Sequence, residues 1–546
     1  MLFHISEFYR KNVNMTTVEL ILRFRMMLKL NTLYYLTVGL ILVTVVILSE
    51  QLSQEKGSYP SASANDLHEI DKLPTNLSKS TMSILRKEKE NDKPNFILII
   101  TDQMRGDAIS CLGSLNARTP NLDKMAEEGV IFQNAYSNNP VCLPSRISLF
   151  TGLYPHQHHS LTNKGPEWQT MEGTLFDLFK KQGYRLGYVG KNHMLRVEKS
   201  VLEDYFDYYH FVDREDFRAY SKHVPPWWHC DTYEPSERCF TTTHTDKAIE
   251  FINVSNEPFF LVVSYQDPHP PYMAPSEYSS KYTSEEMTIP EFIPASSLST
   301  RLDDFCRAME FDKIKDSDLT EMMRYYYAAI SYIDENVGRL ISDLHHKEIA
   351  ENTIVIFTAD HGDFMGEHRM VRKGMFHYEA LLHVPMIWYG PGQIESQFIV
   401  TNLAQSVDIM PTIGDYLGVE FPKSLPGRSL KPMLQGQELE DSDHFVFSSS
   451  LYYHLPDYIL NNGEIPDEEK DIPLHTRVLK IPDKLDNKKR TASIRNSEWR
   501  FIKTIGYPSE LYKMDGSWVE NENLAGKSRY KDVVAAFEKQ VDEIWP

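Results

Sequence analysis

From Pro94 onward, short and almost uninterrupted apolar runs alternate with longer amphipathic stretches. The runs are Phe96–Thr101 (FILIIT), Tyr184–Val189, Phe259–Tyr265 (FFLVVSY), Thr353–Thr358 (TIVIFT) and Val384–Tyr389. Strict alternation would mark strands with one wet face, whereas continuous runs this short predict strands covered on both faces of a parallel sheet. Between them, Thr119-Pro120 predicts a helix start, with Thr as cap, Pro in the first turn and Gly129 as the stop. Asp318–His346 predicts a long helix. Together these elements predict an α/β sandwich around a mostly parallel central sheet over residues 94–436. Beyond residue 437 charged loops take over, with strand patterns at Thr491–Arg495 and Trp499–Ile505. Residues 437–546 are expected to form a smaller C-terminal α+β subdomain.

The amino-terminal region has a different texture. Leu30–Ser49 carries no charge and is long enough to cross ~30 Å of hydrocarbon. Arg23, Arg25 and Lys29 precede it and Glu50 and Glu55 follow, which predicts a cytosolic tail (1–29) and a lumenal or extracellular main chain. The competing reading is a cleaved signal peptide, which would make the protein secreted. The run is long for such a peptide and no clean small-x-small site follows, so an uncleaved anchor is preferred. Residues 50–93 are polar and read as a flexible stem. The sequons at Asn76 and Asn253 suit a glycoprotein of the secretory pathway, a single-pass type II membrane protein of the Golgi, lysosome or cell surface.

Composition narrows the function. With 77 acidic against 57 basic residues the formal charge is −20, which argues against a nucleic-acid partner. It does not argue against an anionic substrate, because a local cationic pocket can lie within an acidic surface. Five cysteines in 546 residues make no disulfide framework. Cys230 and Cys239 are close enough in sequence to pair in an oxidising lumen.

Ligands of parallel sheets gather at the carboxyl ends of the strands. Here FILIIT is followed by Asp102-Gln103, and YRLGYV by Gly190-Lys191-Asn192-His193. FFLVVSY is followed by Gln266-Asp267-Pro268-His269, and TIVIFT by Ala359-Asp360-His361. One such ending is ordinary turn chemistry, but four converging endings are not. A further signal is Cys142-Leu-Pro144-Ser-Arg146. Pro144 near a helix start places Cys142 at the helix N-terminus, where free N–H groups favour an anion, and Arg146 one turn on reaches back to the same spot.

These residues resemble a known family. The pattern C-x-P-S-R with a following T-G is similar to the signature of formylglycine-dependent type I sulfatases, of the alkaline phosphatase-like superfamily. The resemblance covers roughly residues 94–546. It includes IITDQ (99–103), TPNLDKMAEEGVIFQNAY (119–136), GKNH (190–193), DPHPPY (267–272), TADHGDFMGEH (358–368), KGMFHYEALLHVPMI (373–387) and YPSELYKM (507–514).

The resemblance implies a sulfuric ester hydrolase in which Cys142 is converted to formylglycine by the formylglycine-generating enzyme. Its hydrate attacks sulfur through one hydroxyl and expels sulfate through the other. Arg146 and Lys191 would hold the hydrate and its charge, and His193 would orient it. Lys373 would contact the sulfate, as would His269, which would also protonate the leaving oxygen. The implied metal ligands are Asp102, Gln103, Asp360, His361 and an oxygen of residue 142. Oxygen-rich ligation favours Ca²⁺. Many relatives have Asp at position 103 and often Asn at 361. The imidazole and the uncharged Gln103 keep Mn²⁺ or Mg²⁺ open and look more like the branch with choline sulfatases and phosphonate monoester hydrolases. Sulfated carbohydrate such as glycosaminoglycan is the first expectation for substrate, with small aryl or alkyl sulfates also in range. The alternative is hydrolysis of phosphonate or phosphate diesters. His156, His158 and His159 are expected to line the pocket, while Asp363 and His368 are left outside the site.

Overall fold

The computed structural model describes residues 93–211, 231–233, 240–309, 311–395, 398–437, 444–452, 488–516 and 518–546. The segments 1–29, 30–49 and 50–92, the last holding Asn76, lie outside the described residues, as do Cys230 and Cys239. Of two compact units, the described elements all belong to Ser83–Pro546. No helix among the described residues is long and apolar enough to cross a membrane.

The strands are β1 (Asn95–Thr101), β2 (Val130–Tyr136), β3 (Arg185–Gly190), β4 (Tyr208–Phe211), β5 (Asp231–Tyr233), β6 (Phe259–Ser264), β7 (Met273–Pro275), β8 (Thr353–Ala359), β9 (Met386–Tyr389), β10 (Phe398–Gln405), β11 (Val446–Leu451), β12 (Arg490–Arg495), β13 (Trp499–Thr504) and β14 (Glu510–Lys513). Eight of them form one sheet in the order β10-β2-β9-β8-β1-β6-β3-β4. The helices used below are α1 (Pro120–Glu127), α2 (Cys142–Thr151), α3 (Leu175–Lys181), α4 (Phe240–Val254), α5 (Asp316–His346), α6 (Ile409–Leu417) and α7 (Lys531–Ile544).

The pleat of β1 sorts its side chains between two cores. Ile97 and Ile99 face the layer containing α1, α4 and α5, whereas Phe96, Leu98 and Ile100 face α2, α3 and α6. Strands β6 and β8 divide in the same way: Leu261 and Val263, with Val355 and Phe357, share the first core, and Phe260 and Val262, with Ile354 and Ile356, the second. Both faces are dry, so the runs contain no polar alternation. Strands β11 to β14 form a separate antiparallel sheet, on which α7 packs through Phe537 and Val541, with Phe501 and Phe537 stacked at 5.6 Å.

Two expectations need correction. The run 384–389 enters the sheet as β9 and is antiparallel to both β2 and β8. The chain leaves β8 at its carboxyl end, crosses that edge through residues 360–385 and re-enters from the same edge, so it must run backwards. Thr119 precedes α1 but does not cap it through its side chain. Its hydroxyl instead accepts from the Ser110 backbone N–H at 2.9 Å and contacts Asp123 at 3.2 Å.

Candidate active site

Strands β8, β1, β6 and β3 are consecutive in the sheet, and their carboxyl ends deliver Asp360-His361, Asp102-Gln103, the segment ending in His269, and Lys191. Gly190 makes the last of these turns feasible. Its φ is +100°, and a Cβ there would lie 2.0 Å from the Ser264 carbonyl oxygen on neighbouring β6.

Cys142 is the first residue of α2, after extended Val141, and is 1% exposed. Its Sγ lies 2.8 Å from Lys373 Nζ, 3.2 Å from His361 Nε2 and 3.6 Å from Asp102 Oδ1. Burial and Asp102 push the thiol up, but Lys373, Lys191 and His361 outweigh them and hold it well below the usual thiol range. The sulfur marks the position where an oxygen of a modified residue 142 would stand.

Arg146, fully buried, reaches back as its spacing predicts. Its Nε donates to Asp360 Oδ2 at 2.8 Å, Nη1 to Ser264 Oγ at 2.8 Å and Nη2 to Asp102 Oδ2 at 3.2 Å. Lys191 Nζ donates to the same Asp102 oxygen. Burial would raise the Asp102 pKa, yet Lys191, His269, Lys373 and Arg146 together hold it well below the carboxylate range.

Asp102, Cys142, Asp360 and His361 each offer a ligand atom, all within 4.8 Å of one another. His361 Nδ1 donates to the Gly362 carbonyl at 2.8 Å, because a carbonyl can only accept, and Nε2 is the ring nitrogen that faces the cluster. Gln103 adds an amide oxygen. Its Nε2 donates to Asp363 Oδ2 at 2.6 Å, its backbone N–H to Asp360 Oδ1 at 3.0 Å, and its Oε1 is buried with no donor. A buried, unpartnered oxygen on the residue after Asp102, together with the clustered carboxylates of Asp102 and Asp360 and the His361 imidazole, fits a divalent cation.

Asp363 therefore belongs to the site after all. It receives Gln103, the Tyr272 hydroxyl at 2.8 Å, and the backbone N–H groups of Met365 (2.8 Å) and Arg372 (2.7 Å), fixing both Gln103 and the approach to Lys373. Asn163, unnoticed in the sequence, accepts from the Leu143 N–H at 2.9 Å and has its Nδ2 4.0 Å from Cys142 Sγ. His269 is half-buried, its Nδ1 donating to the Pro270 carbonyl at 2.6 Å. Burial and Lys373, with Lys191, push its pKa down to about 3, so the ring is neutral with its proton on Nδ1. His193 follows β3 as expected, and its Nδ1 is buried without a partner. The other histidines depart from expectation: His158 Nε2 pairs with Ser148 Oγ at 3.0 Å on α2, and His156 stacks on Trp545 at 5.7 Å. Asn253 lies exposed in the last turn of α4.

A mostly parallel sheet carrying buried carboxylates, cations and a cysteine at a helix N-terminus suits a hydrolase of anionic esters with a metal-binding cluster. The sulfatase profile matches residues 94–419, and the chain belongs to the sulfatase family, whose members hydrolyse sulfate esters. It is 29% identical over 414 residues to an arylsulfatase of Clostridium perfringens (strain 13 / Type A), covering 65% of this chain and 84% of the relative. Over 525 residues it is 26% identical to the iduronate 2-sulfatase of Mus musculus, covering 80% of this chain and 92% of that one. Among solved structures, the phosphonate monoester hydrolase of Agrobacterium radiobacter aligns with a TM-score of 0.67 at 23% identity, over 83% of this chain and 95% of that chain. A protein solved with its substrate D-glucosamine-2-N,6-O-disulfate aligns with a TM-score of 0.65 at 23% identity, over 83% and 97%. Those two likenesses bear on the fold alone.

Proposed function

We propose that this chain is a formylglycine-dependent sulfatase acting on a sulfated carbohydrate. The observation that carries the reading is the position of Cys142: a buried side chain at a helix N-terminus, between Lys373 and His361 and beside Asp102. Oxidation of this cysteine to formylglycine and hydration would put two hydroxyls where one sulfur stands. One hydroxyl attacks sulfur and the S–O bond to the alcohol breaks; the other then loses its proton as the C–O bond to sulfate breaks and the aldehyde returns. A divalent ion, most simply Ca²⁺ with Mn²⁺ or Mg²⁺ as alternatives, would be held by Asp102, Gln103, Asp360 and His361 and would add positive charge beside the sulfate.

Lys373 and Lys191 face the developing negative charge, and Arg146 fixes the two carboxylates. His269 acts as acid only with substrate present. Its Nε2 gains a proton when the ester's negative charge offsets Lys191 and Lys373, which otherwise keep the ring neutral. His193 orients the hydrate.

The relatives include the iduronate 2-sulfatase of Mus musculus, which favours a sulfated sugar. Maturation would require the formylglycine-generating enzyme, hence passage through the secretory pathway with the catalytic part in the lumen or outside. Segment 30–49 would supply a type II anchor.

Mass spectrometry of the peptide carrying residue 142, from a secretory expression host, tests the reading. Formylglycine is expected, and unmodified cysteine with the converting enzyme active would overturn it. The imidazole of His361 and the uncharged Gln103 in the cluster favour a second reading as a phosphonate or phosphodiester hydrolase. Comparing turnover of an aryl sulfate with that of a phenyl phosphonate ester separates the two.

A further inference from the structure

Among the described residues five arginines are buried: Arg105, Arg146, Arg301, Arg495 and Arg500. Four have carboxylate partners. Arg105 pairs with Asp107 and Glu367, Arg146 with Asp102 and Asp360, and Arg495 and Arg500 with Glu379. Arg301, 8% exposed, has none among the described residues.

Its surroundings hold the guanidinium in place without neutralising it. One nitrogen, Nη2, donates to the Met375 carbonyl. The guanidinium carbon lies 4.4 Å from the Phe376 ring centroid and 4.8 Å from that of Tyr452. Among the described residues Nε and Nη1 make no hydrogen bond, and neither is sealed from solvent. The one carboxylate with an appreciable influence, Glu510, is occupied by the Tyr378 hydroxyl at 2.7 Å and the Tyr512 hydroxyl at 2.6 Å. Burial presses the arginine's pKa down, so its charged state is sustained at a cost.

The location connects this cation to the reaction. Met375, which Arg301 holds, is two residues from Lys373 and packs with Val141, the neighbour of Cys142, and with Tyr452, against which Tyr507 lies. A buried, planar donor is therefore held between two aromatic rings, next to Met375 and so close in the chain to Lys373 and, through Val141, to Cys142. Such a fork matches a carboxylate or a sulfate bidentately.

We propose that Arg301 is a specificity-determining residue, binding a second anionic group on the same substrate as the reacting sulfate. The inference rests on the reading of the chain as a sulfatase of acidic saccharides. The second anion is either a uronate carboxylate or a further sulfate, and a single guanidinium edge serves both. Phe376 and Tyr452 keep the fork in plane and exclude water from its faces, so a neutral sugar leaves the cation without a counter-ion and binds less well.

The test uses the full chain with Arg301→Gln and Arg301→Lys, and three probes. These are a mono-sulfated disaccharide bearing a uronate, its methyl ester, and a di-sulfated disaccharide without uronate. Calorimetric binding is measured in a Cys142→Ala background, and kcat/KM in the otherwise native chain. Wild type is expected to prefer an anionic disaccharide over the methyl ester, and Arg301→Gln to reduce that preference by about 30-fold, mostly through KM and Kd. Arg301→Lys should restore part of it. The uronate and di-sulfated arms identify which anion is bound. Equal losses on all three probes would assign Arg301 only to holding Met375 and overturn the proposal, as would an unchanged preference or no binding of any probe. Absent sulfate release together with an Arg301-dependent binding preference would refute the sulfatase reading while leaving the anion site standing.

Discussion

The two sheets put buried charge to different uses. At the carboxyl edge of the central sheet, Asp102, Asp360, Arg146, Lys191 and Lys373 converge on Cys142, and Gln103 Oε1 and His193 Nδ1 are left with no partner. Against the antiparallel sheet, Glu379 is gripped by Arg495 and Arg500, by the Tyr136 hydroxyl at 2.9 Å, and through its backbone N–H by Glu520 Oε1 at 2.8 Å. Arg500 also holds the His377 carbonyl at 3.2 Å, and His377 bridges Ser448 and Ser450 at 2.8 Å each. The second cluster binds the segment that follows Lys373 to the C-terminal sheet. One cluster is arranged to receive something, and the other fixes where Lys373 begins.

That distinction makes the clusters fail differently. Cys142→Ala should cut sulfate release by about 10⁴-fold or more, measured as kcat/KM on an aryl sulfate, with the melting temperature little changed. Glu379→Gln should do the reverse. It removes the carboxylate that Arg495 and Arg500 share, leaving Arg500 only Glu520 at 3.3 Å, and chemical denaturation should report a loss of about 3–5 kcal/mol. If that variant instead lost activity at full stability, the second cluster would have to be assigned to catalysis. Lys373→Met should fall between them, lowering kcat by about 10²–10³-fold with less effect on stability. Adding a divalent cation to chelator-treated protein should raise the melting temperature, and Gln103→Leu should weaken that shift. The smallest effect concerns Glu367, whose carboxyl is pushed up to about 7 by burial against the opposing pull of Arg105. A raised folded-state pKa stabilises below the unfolded value and is lost as pH rises through about 7. Between pH 5 and 8 the wild type should therefore lose about 1–3 kcal/mol more than Glu367→Gln, read from denaturation midpoints.

The sequence was most legible where the physics is local or repeated. Strands β1, β3, β6 and β8 were readable because both of their faces are buried, and the residue types at their ends located the site. Strand β2 was not recognised, because Gln133 and Asn134 interrupt its apolar run and only the pairing with β10 and β9 makes it a strand. The reversed direction of β9 depends on where residues 360–385 pass, which no local pattern encodes. Asn163 and Ser264 escaped notice, and Asp363 was left outside the site, for the same reason: each acts through partners 20 to 260 positions away. Arg301 carried no motif, and what draws attention to it is the missing carboxylate among the described residues.

The register of β1 also sets a timetable for synthesis. Asn95 pairs with Thr353 on one side and Phe96 with Phe260 on the other, so the central strand waits for chain made much later. The Asn95–Thr353 separation is 258 residues, about 13–50 s at ~5–20 residues per second on the ribosome. For the first 164 residues of that interval, until β6 emerges, a strand with a wholly apolar centre has neither neighbour, and a nascent chain in this state needs protection from its own kind. The groups that enclose Cys142, namely Asp360, His361 and Lys373, emerge after it as well. Until they arrive, the thiol is open to any modifying agent in the same compartment.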